Sequence, residues 1–221
     1  MKIKKILLII VLVLFIFGCK KKEEQIIPKA SETEESQIEK NITSQDIGTI
    51  VGEYSNRFTL IKVNNNNQKD IYVNVTLHYY NNGEEQDSDE VYLYVAAGKS
   101  AYAVSKMFAE DPVFTSYKYE IVYISEVKEY SNLINNIKAS YSNTGNDILI
   151  NMTNLSSMTT TPSAIILFYK DGKIVSVSEC KMYNLMPKGT QNEKISYPHK
   201  DLNNLIPFDN VNVFLNEVSI N

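Results

Sequence analysis

Residues 78–83 read His-Tyr-Tyr-Asn-Asn-Gly, and residues 167–172 read Leu-Phe-Tyr-Lys-Asp-Gly. Each stretch ends a strand-like run in Asn-Gly or Asp-Gly, the dipeptides that favour a two-residue hairpin because both central residues of a type I′ turn need positive φ. The two stretches lie 89 residues apart, and the sequences around them are also alike. We therefore expect one β-structured unit to occur twice.

The similarity extends over most of both units. At the offset of 89, residues 58–83 lie over residues 147–172 without a gap. The segments that agree in order and spacing are 62–65 with 151–154, the turns 96–99 with 186–189, and, at an offset of 91, 122–126 with 213–217. Such self-similarity indicates an internal duplication.

Each unit has the composition of an all-β domain. Short runs of β-branched and aromatic residues alternate with turn clusters, and units of 80–90 residues have the size of an immunoglobulin-like sandwich. An apolar fraction of 43% suffices for packed cores. The sequence predicts two tandem immunoglobulin-like β-sandwich domains, at residues 47–130 and 131–221. Asn64–Asn67 is interpreted as a loop between strands.

The N-terminus has the pattern of a secretory signal. Three lysines precede the apolar run Ile6–Phe17, which is shorter than the roughly 20 residues of a membrane-spanning helix, and Gly18-Cys19 follows. This pattern resembles the signal of bacterial lipoproteins. The resemblance implies removal of residues 1–18, acylation of Cys19, and a lipid-anchored protein of the cell membrane or outer membrane that faces the periplasm or exterior. An uncleaved signal anchor is the alternative.

The segment that follows is polar. Residues 19–46 carry both charges and contain Pro28, so we expect a flexible tether. Cleavage would leave 19 basic against 26 acidic residues, a formal charge of −7. Such a chain is not drawn to nucleic acid by its own field, and the expected partners are the bilayer, through acylated Cys19, and an unidentified envelope protein.

A second resemblance concerns the repeated unit. Residues 167–172 are followed by the turn Met186-Pro187-Lys188-Gly189, and this arrangement resembles the FxLYD-type and related immunoglobulin-like modules of bacterial envelope lipoproteins. The first unit departs from the pattern, because its second turn has no proline. The resemblance implies a β-sandwich without catalytic residues.

Comparison of the two units assigns faces to their strands. Successive strand residues point to opposite faces, so positions that are apolar in both units face the core. The residues expected inside are Val73, Val75, Leu77 and Tyr79 with Pro162, Ala164, Ile166 and Phe168, and Val122 and Ile124 with Val213 and Leu215.

Two outward faces are then more apolar than their counterparts. One is the stripe Tyr119, Ile121 and Tyr123, and the other is Ile165, Leu167 and Tyr169. An apolar outward stripe needs cover or a purpose. Three interpretations remain open: packing between domains or under a loop, a surface for a partner or a second copy, or an error in the assumed strand register.

No motif for catalysis, metal or cofactor binding was found in the sequence. His78 and His199 have no Cys or His at ligand spacing, and neither a nucleophile elbow nor a phosphate-binding glycine motif is present. The acidic segment 83–90 is interpreted as a charged strand edge, with a cation site as the alternative. Cys180 is interpreted as a small buried residue, with a reactive thiol as the alternative.

The sequence thus favours a non-catalytic binding or structural role at the cell envelope. One alternative is an envelope enzyme, a hydrolase or a metal-dependent enzyme, with a site between the domains. Another is a carrier or chaperone for apolar cargo.

Overall fold

The computed structural model describes residues 34–127 and 133–220. The expected all-β fold is confirmed: antiparallel strands form sandwich-like pairs of sheets. The expected signal peptide, Cys19, residues 20–33 of the expected tether and the expected boundary between residues 130 and 131 lie outside the described residues. Within the described ranges, no helix is both long and apolar enough to cross a membrane.

The first half begins with a short helix and contains six strands in two sheets. Its sheets have the strand orders β1-β2-β5 and β4-β3-β6. The elements are α1 (Glu34–Lys40), β1 (Ile42–Val51), β2 (Arg57–Asn65), β3 (Ile71–Asn81), β4 (Glu84–Val95), β5 (Ser100–Met107) and β6 (Ser116–Glu126).

The second half repeats this arrangement and adds a small hairpin, β12–β13. Its two main sheets have the orders β11-β8-β7 and β10-β9-β14. The strands are β7 (Ile137–Asn143), β8 (Asp147–Asn154), β9 (Thr160–Lys170), β10 (Lys173–Lys181), β11 (Thr190–Ser196), β12 (His199–Asp201), β13 (Asn204–Leu205) and β14 (Asn210–Ile220). Sheet β1-β2-β5 therefore corresponds to β7-β8-β11, and β4-β3-β6 corresponds to β10-β9-β14.

The two hairpins from which the duplication was inferred have the expected geometry. Positive φ values occur at Asn82 (51°) and Gly83 (87°), and at Asp171 (50°) and Gly172 (75°). These turns connect β3 to β4 and β9 to β10, so the strands on either side pair in matching registers.

Each half has its own apolar core. The residues of β3 and β9 that we expected to face inward are buried. They are Val73, Val75, Leu77 and Tyr79 in the first half and Pro162, Ala164, Ile166 and Phe168 in the second. Cys180 belongs to the second core, as expected of a small buried residue. Burial, together with nearby Glu193, raises the pKa of its thiol to about 11.

A third apolar layer joins the halves. Phe58, Leu60 and Tyr102 project from the outer face of sheet β1-β2-β5, and Ile165, Leu167 and Val177 project from the outer face of β10-β9-β14. We call this layer the seam. The two faces that meet in the seam are not equivalent in the duplication. Sheet β1-β2-β5 corresponds to β7-β8-β11, and β10-β9-β14 corresponds to β4-β3-β6, and neither of these counterparts takes part in the seam.

The copies differ in composition where the seam requires it. Ile165 and Leu167 are buried in the seam, whereas Thr76 and His78 at the corresponding positions of β3 lie on a partly exposed face. The outer stripe of β9 is thus apolar because another sheet covers it. For this stripe, packing between the halves is the interpretation that the structure supports.

The N-terminal boundary of the folded region differs from the expectation. Residues 34–46, which we expected to belong to the flexible tether, form α1 and the first part of β1. Ile38 is 6% exposed and lies in the first core, where partly buried Ile42 also packs. Two isolated isoleucines in a charged segment give too weak a period to reveal this burial from sequence.

A buried asparagine closes the same corner in both halves. Asn65 Nδ2 donates to the carbonyl oxygens of Lys69 (2.8 Å) and Val95 (2.9 Å), and its Oδ1 accepts from the backbone of Asn67 (3.0 Å). Asn154 makes the corresponding bonds to Met158 and Leu185. The prediction of a loop at Asn64–Asn67 is therefore wrong for its first two residues, which end β2, and it missed the structural role of Asn65.

We expect Asn65→Ala to lower the free energy of unfolding by about 1–3 kcal/mol, because two buried carbonyl groups lose their donor. Urea unfolding monitored by circular dichroism measures this. Exposed Asn66→Ala is the control and should change stability by less than about 0.5 kcal/mol. Equal effects of the two substitutions would contradict the structural role.

Burial of side chains in the seam leads to a second prediction about stability. Leu167→Ala should destabilise the protein by about 2–5 kcal/mol, because Leu167 is fully buried between the two sheets. His78→Ala, at the corresponding position of the first half, should cost far less. The same urea titration compares them, and a mild effect of Leu167→Ala would argue against a packed seam.

Candidate functional site

The first sandwich is open along one side, between edge strands β1 and β6. Two cavities, of about 380 and 390 Å³, follow one another along this opening. We call it the β1–β6 cleft. Its lining includes Glu39, Ile42, Ser44, Asp46, Thr49, Arg57, Tyr79, Phe114, Tyr117, Tyr119, Ile121 and Tyr123.

The cleft contains the first predicted stripe, but on the opposite face from the one expected. Tyr119, Ile121 and Tyr123 are partly buried against the first core, whereas Val122 and Ile124 are 49% and 46% exposed. The expected inward orientation of Val122 and Ile124 is therefore wrong. In β14 the expectation is confirmed, since Val213 and Leu215 pack on the second core.

The error follows from the alignment of the last strand. Tyr119 pairs with Leu77, and Val213 pairs with Ile166, the counterpart of Leu77. The structural offset between β6 and β14 is thus 94 residues and not 91. A shift by an odd number of residues exchanges the two faces of a strand.

Tyrosine hydroxyls bridge the cleft. Tyr117 donates to Asp46 Oδ1 at 2.5 Å, and the hydroxyl of Tyr119 lies 3.2 Å from Ser44 Oγ. The pKa of Tyr117 is raised, first by burial and then by its bond to the Asp46 carboxylate. The pKa of Tyr123 is also raised, by burial and by Glu126. These phenols therefore remain protonated donors at neutral pH.

One end of the cleft holds two buried polar atoms that make no hydrogen bond of good geometry within the described residues. They are the hydroxyl of Tyr79, whose side chain is 3% exposed, and Nε of Arg57. Burial raises the pKa of Tyr79, and neighbouring hydroxyls of Ser105 and Thr59 limit the rise. Arg57 Nη2 is engaged by the carbonyl oxygens of Asp111 (2.8 Å) and Pro112 (2.9 Å).

The second half provides an internal comparison. Strand pairing places Ala139 and Tyr141 at the positions of Ser44 and Asp46, and it places Val211 and Val213 at those of Tyr117 and Tyr119. Phe168 corresponds to Tyr79, and each ring packs on a phenylalanine at a centroid distance of 5.1 Å, stacked for Tyr79 and edge-to-face for Phe168. At four of these five positions, therefore, only the first half has a polar group, and at the fifth the Asp46 carboxylate is replaced by the phenol of Tyr141.

The second predicted stripe lies elsewhere. Ile165 and Leu167 are buried in the seam, and Tyr169 packs at its edge near Tyr102. The two stripes that the sequence grouped as one candidate surface are therefore in different environments, one in the seam and one in the β1–β6 cleft.

The remaining candidates from the sequence have structural partners. The acidic segment belongs to β4, an edge strand, where His78 Nδ1 lies 2.8 Å from Glu85 Oε1. The ring of His199 stacks on Tyr54 at 6.4 Å. Within residues 34–127 and 133–220, no group of three or more His, Cys, Asp or Glu side chains has the geometry of a metal site.

Sequence reasoning missed several polar members of the cleft. Glu39, Ser44 and Asp46 fell within the expected tether, and Tyr117 was assigned to no face. The sequence signal that could have revealed them is the tyrosine at alternate positions of β6. These tyrosines are recognised as inward-facing only when the last strands of the two halves are aligned at the correct offset.

Comparisons with known proteins add little to this geometry. No protein-family model and no curated protein matches the chain. Among solved structures, it is similar to red sea bream transglutaminase, with 11% identity, 87% of this chain and 34% of that chain covered, and a TM-score of 0.26. The chain thus spans about a third of that enzyme's length.

A second similar structure is a chaperone–tip adhesin complex of CFA/I fimbriae biogenesis. It has 12% identity, a TM-score of 0.25, and coverage of 81% of this chain and 98% of that chain. Function must therefore be inferred from the cleft itself.

The corrected face of β6 gives a direct test. Ile121→Ser should lower the free energy of unfolding by about 1–3 kcal/mol, because the side chain packs on the core. Val122→Ser on the exposed face should change it by about 0.5 kcal/mol or less. Urea unfolding of both variants checks the assignment, and the reverse order would restore the original orientation.

Proposed function

We propose that the chain is a lipid-anchored cell-envelope protein that binds a partner, without catalysis, through the β1–β6 cleft. The observation that carries the binding role is the internal comparison. The two halves differ at five positions that line this open groove in the first half, and at four of them only the first half carries a hydroxyl group.

Physical cost supports a binding role for these groups. A buried polar group without a partner costs free energy that an apolar residue of similar shape would not. The second half uses Phe168 where the first has Tyr79, so the fold does not require the hydroxyl. Its retention in the cleft is explained if a bound partner accepts a hydrogen bond from it, in addition to its contacts with the hydroxyls of Ser105 and Thr59.

The anchoring role rests on the N-terminal pattern. Cleavage before Cys19 would leave 14 residues between the acylated residue and α1. A segment of that length spans at most about 50 Å when fully extended. Two or more acyl chains would hold the protein stably at the bilayer, and the first sandwich would then face partners near the membrane surface.

The anchor is tested by labelling cells with an alkyne analogue of palmitate. The full chain should incorporate label and sediment with membranes, whereas Cys19→Ser should lose both properties. Cys180→Ser is the matched control and should retain them. A full chain that stays unlabelled, or a labelled Cys19→Ser variant, would contradict lipid attachment.

The binding role is tested by in-cell crosslinking and mass spectrometry. A variant with Tyr119, Ile121 and Tyr123 replaced by Ser should lose the partner captured by the wild type. Tyr92→Ser, an exposed tyrosine of β4, is the control and should retain it. A Tyr119→Phe variant, which keeps the packing, separates loss of a hydroxyl contact from misfolding. If the same partner is captured by every variant, the cleft is not the binding surface.

A further inference from the structure

Strand β6 is the edge of its sheet at the place where an immunoglobulin-like sandwich has one more strand. The sheet order is β4-β3-β6, and none of the described residues pairs with the outer edge of β6. A seven-strand immunoglobulin domain places its last strand beside the strand that corresponds to β6. The β1–β6 cleft is the space that this strand would border.

We propose that an extended segment of a partner polypeptide adds to β6 as this seventh strand. The inference rests on the proposed binding function and specifies its mode. Backbone hydrogen bonds to β6 would supply affinity, and side chains at alternate positions would enter the cleft and supply specificity.

The two edge strands of sheet β4-β3-β6 are protected to different extents against pairing with a strand of another chain. β4 carries five acidic residues among its first seven, a common protection against edge pairing. β6 is 11 residues long and contains no proline, and although its exposed face carries Lys118 and Glu120, it continues with apolar Val122 and Ile124. A long edge strand of this kind is normally covered or paired.

The corresponding edge of the second half is flanked by other elements. β14 contacts β7 of its own half and β4 and β5 of the first half. The duplication therefore leaves the position beside β6 open and the position beside β14 crowded, although the strands themselves correspond. Because only the position beside β6 is open, we assign strand addition to the first half alone.

The cleft also indicates the chemistry of the segment. The inward residues from Tyr117 to Tyr123 span six steps of a strand, about 20 Å, which suits a segment of six or seven residues. The hydroxyl of Tyr79 and Nε of Arg57 are donors that a peptide carbonyl can satisfy. The charged lining residues Glu39, Asp46 and Arg57 give the cleft a formal charge of −1, so we infer a segment that carries Lys or Arg.

The test uses the full chain in detergent and a synthetic peptide of sequence KVTVKVTVK as the probe. Hydrogen exchange of backbone amides is measured with and without the peptide. We expect exchange at alternate amides of residues 117–123 to slow at least tenfold, with no change in β4. Two control peptides, EVTVEVTVE and one with a central proline, should give little protection.

Substitutions in the cleft test whether the slowed amide exchange of β6 depends on peptide binding there. Tyr79→Phe and Tyr119→Phe keep the fold and should weaken peptide binding several-fold, whereas Tyr92→Ser should not. Absence of protection, or protection of β4, would overturn strand addition. Protection of β6 that appears without peptide and grows with protein concentration would show that the occupant is a second copy, which also overturns the proposal.

The outcome is separable from that of the proposed function. A partner captured in cells that depends on Tyr119, Ile121 and Tyr123, together with unprotected β6 amides, would retain the binding role and exclude strand addition. Protection by the peptide without any cellular partner would retain the strand site and remove support for the envelope role.

Discussion

The described structure depends on two sheets that bury both of their faces. Sheet β1-β2-β5 packs against the first core on one side and the seam on the other, and sheet β10-β9-β14 does the same with the second core. Alternating strand residues must then be apolar on both sides, which explains the nearly continuous burial of β2 and β9. The outer sheets need only one apolar face. Differences between the copies at β3 and β9 follow from this requirement.

Features with a local physical cause were predictable from the sequence. The hairpins at Asn82-Gly83 and Asp171-Gly172 need positive φ, and few residues allow it, so the dipeptides fix the position of each turn. The turn also sets the register of the strands beside it, and the inward residues of β3 and β9 were therefore assigned correctly. Duplication helped, because it gave each position a second observation.

Features set by long connections were not predictable in the same way. The connection before β6 has eight residues, whereas the one before β14 has 13 and includes β12–β13. No turn signal marks the register across this difference, so the alignment of Val122 with Val213 was wrong by three residues. The seam likewise depends on contacts between distant strands, and the apolar stripe of β9 alone does not identify its cover. Lipid attachment at Cys19 stays a prediction.

The seam has a geometric consequence because it joins unlike faces. A contact between two different surfaces does not close on itself, and repetition of the same contact generates an open chain of units. Of the two outer faces that do not take part in the seam, one carries Thr76 and His78 in its central strand and the other carries Asn151. At these positions the faces lack the apolar residues from which the seam is built. Substitution of apolar residues there would therefore create the surface that an open series of contacts needs.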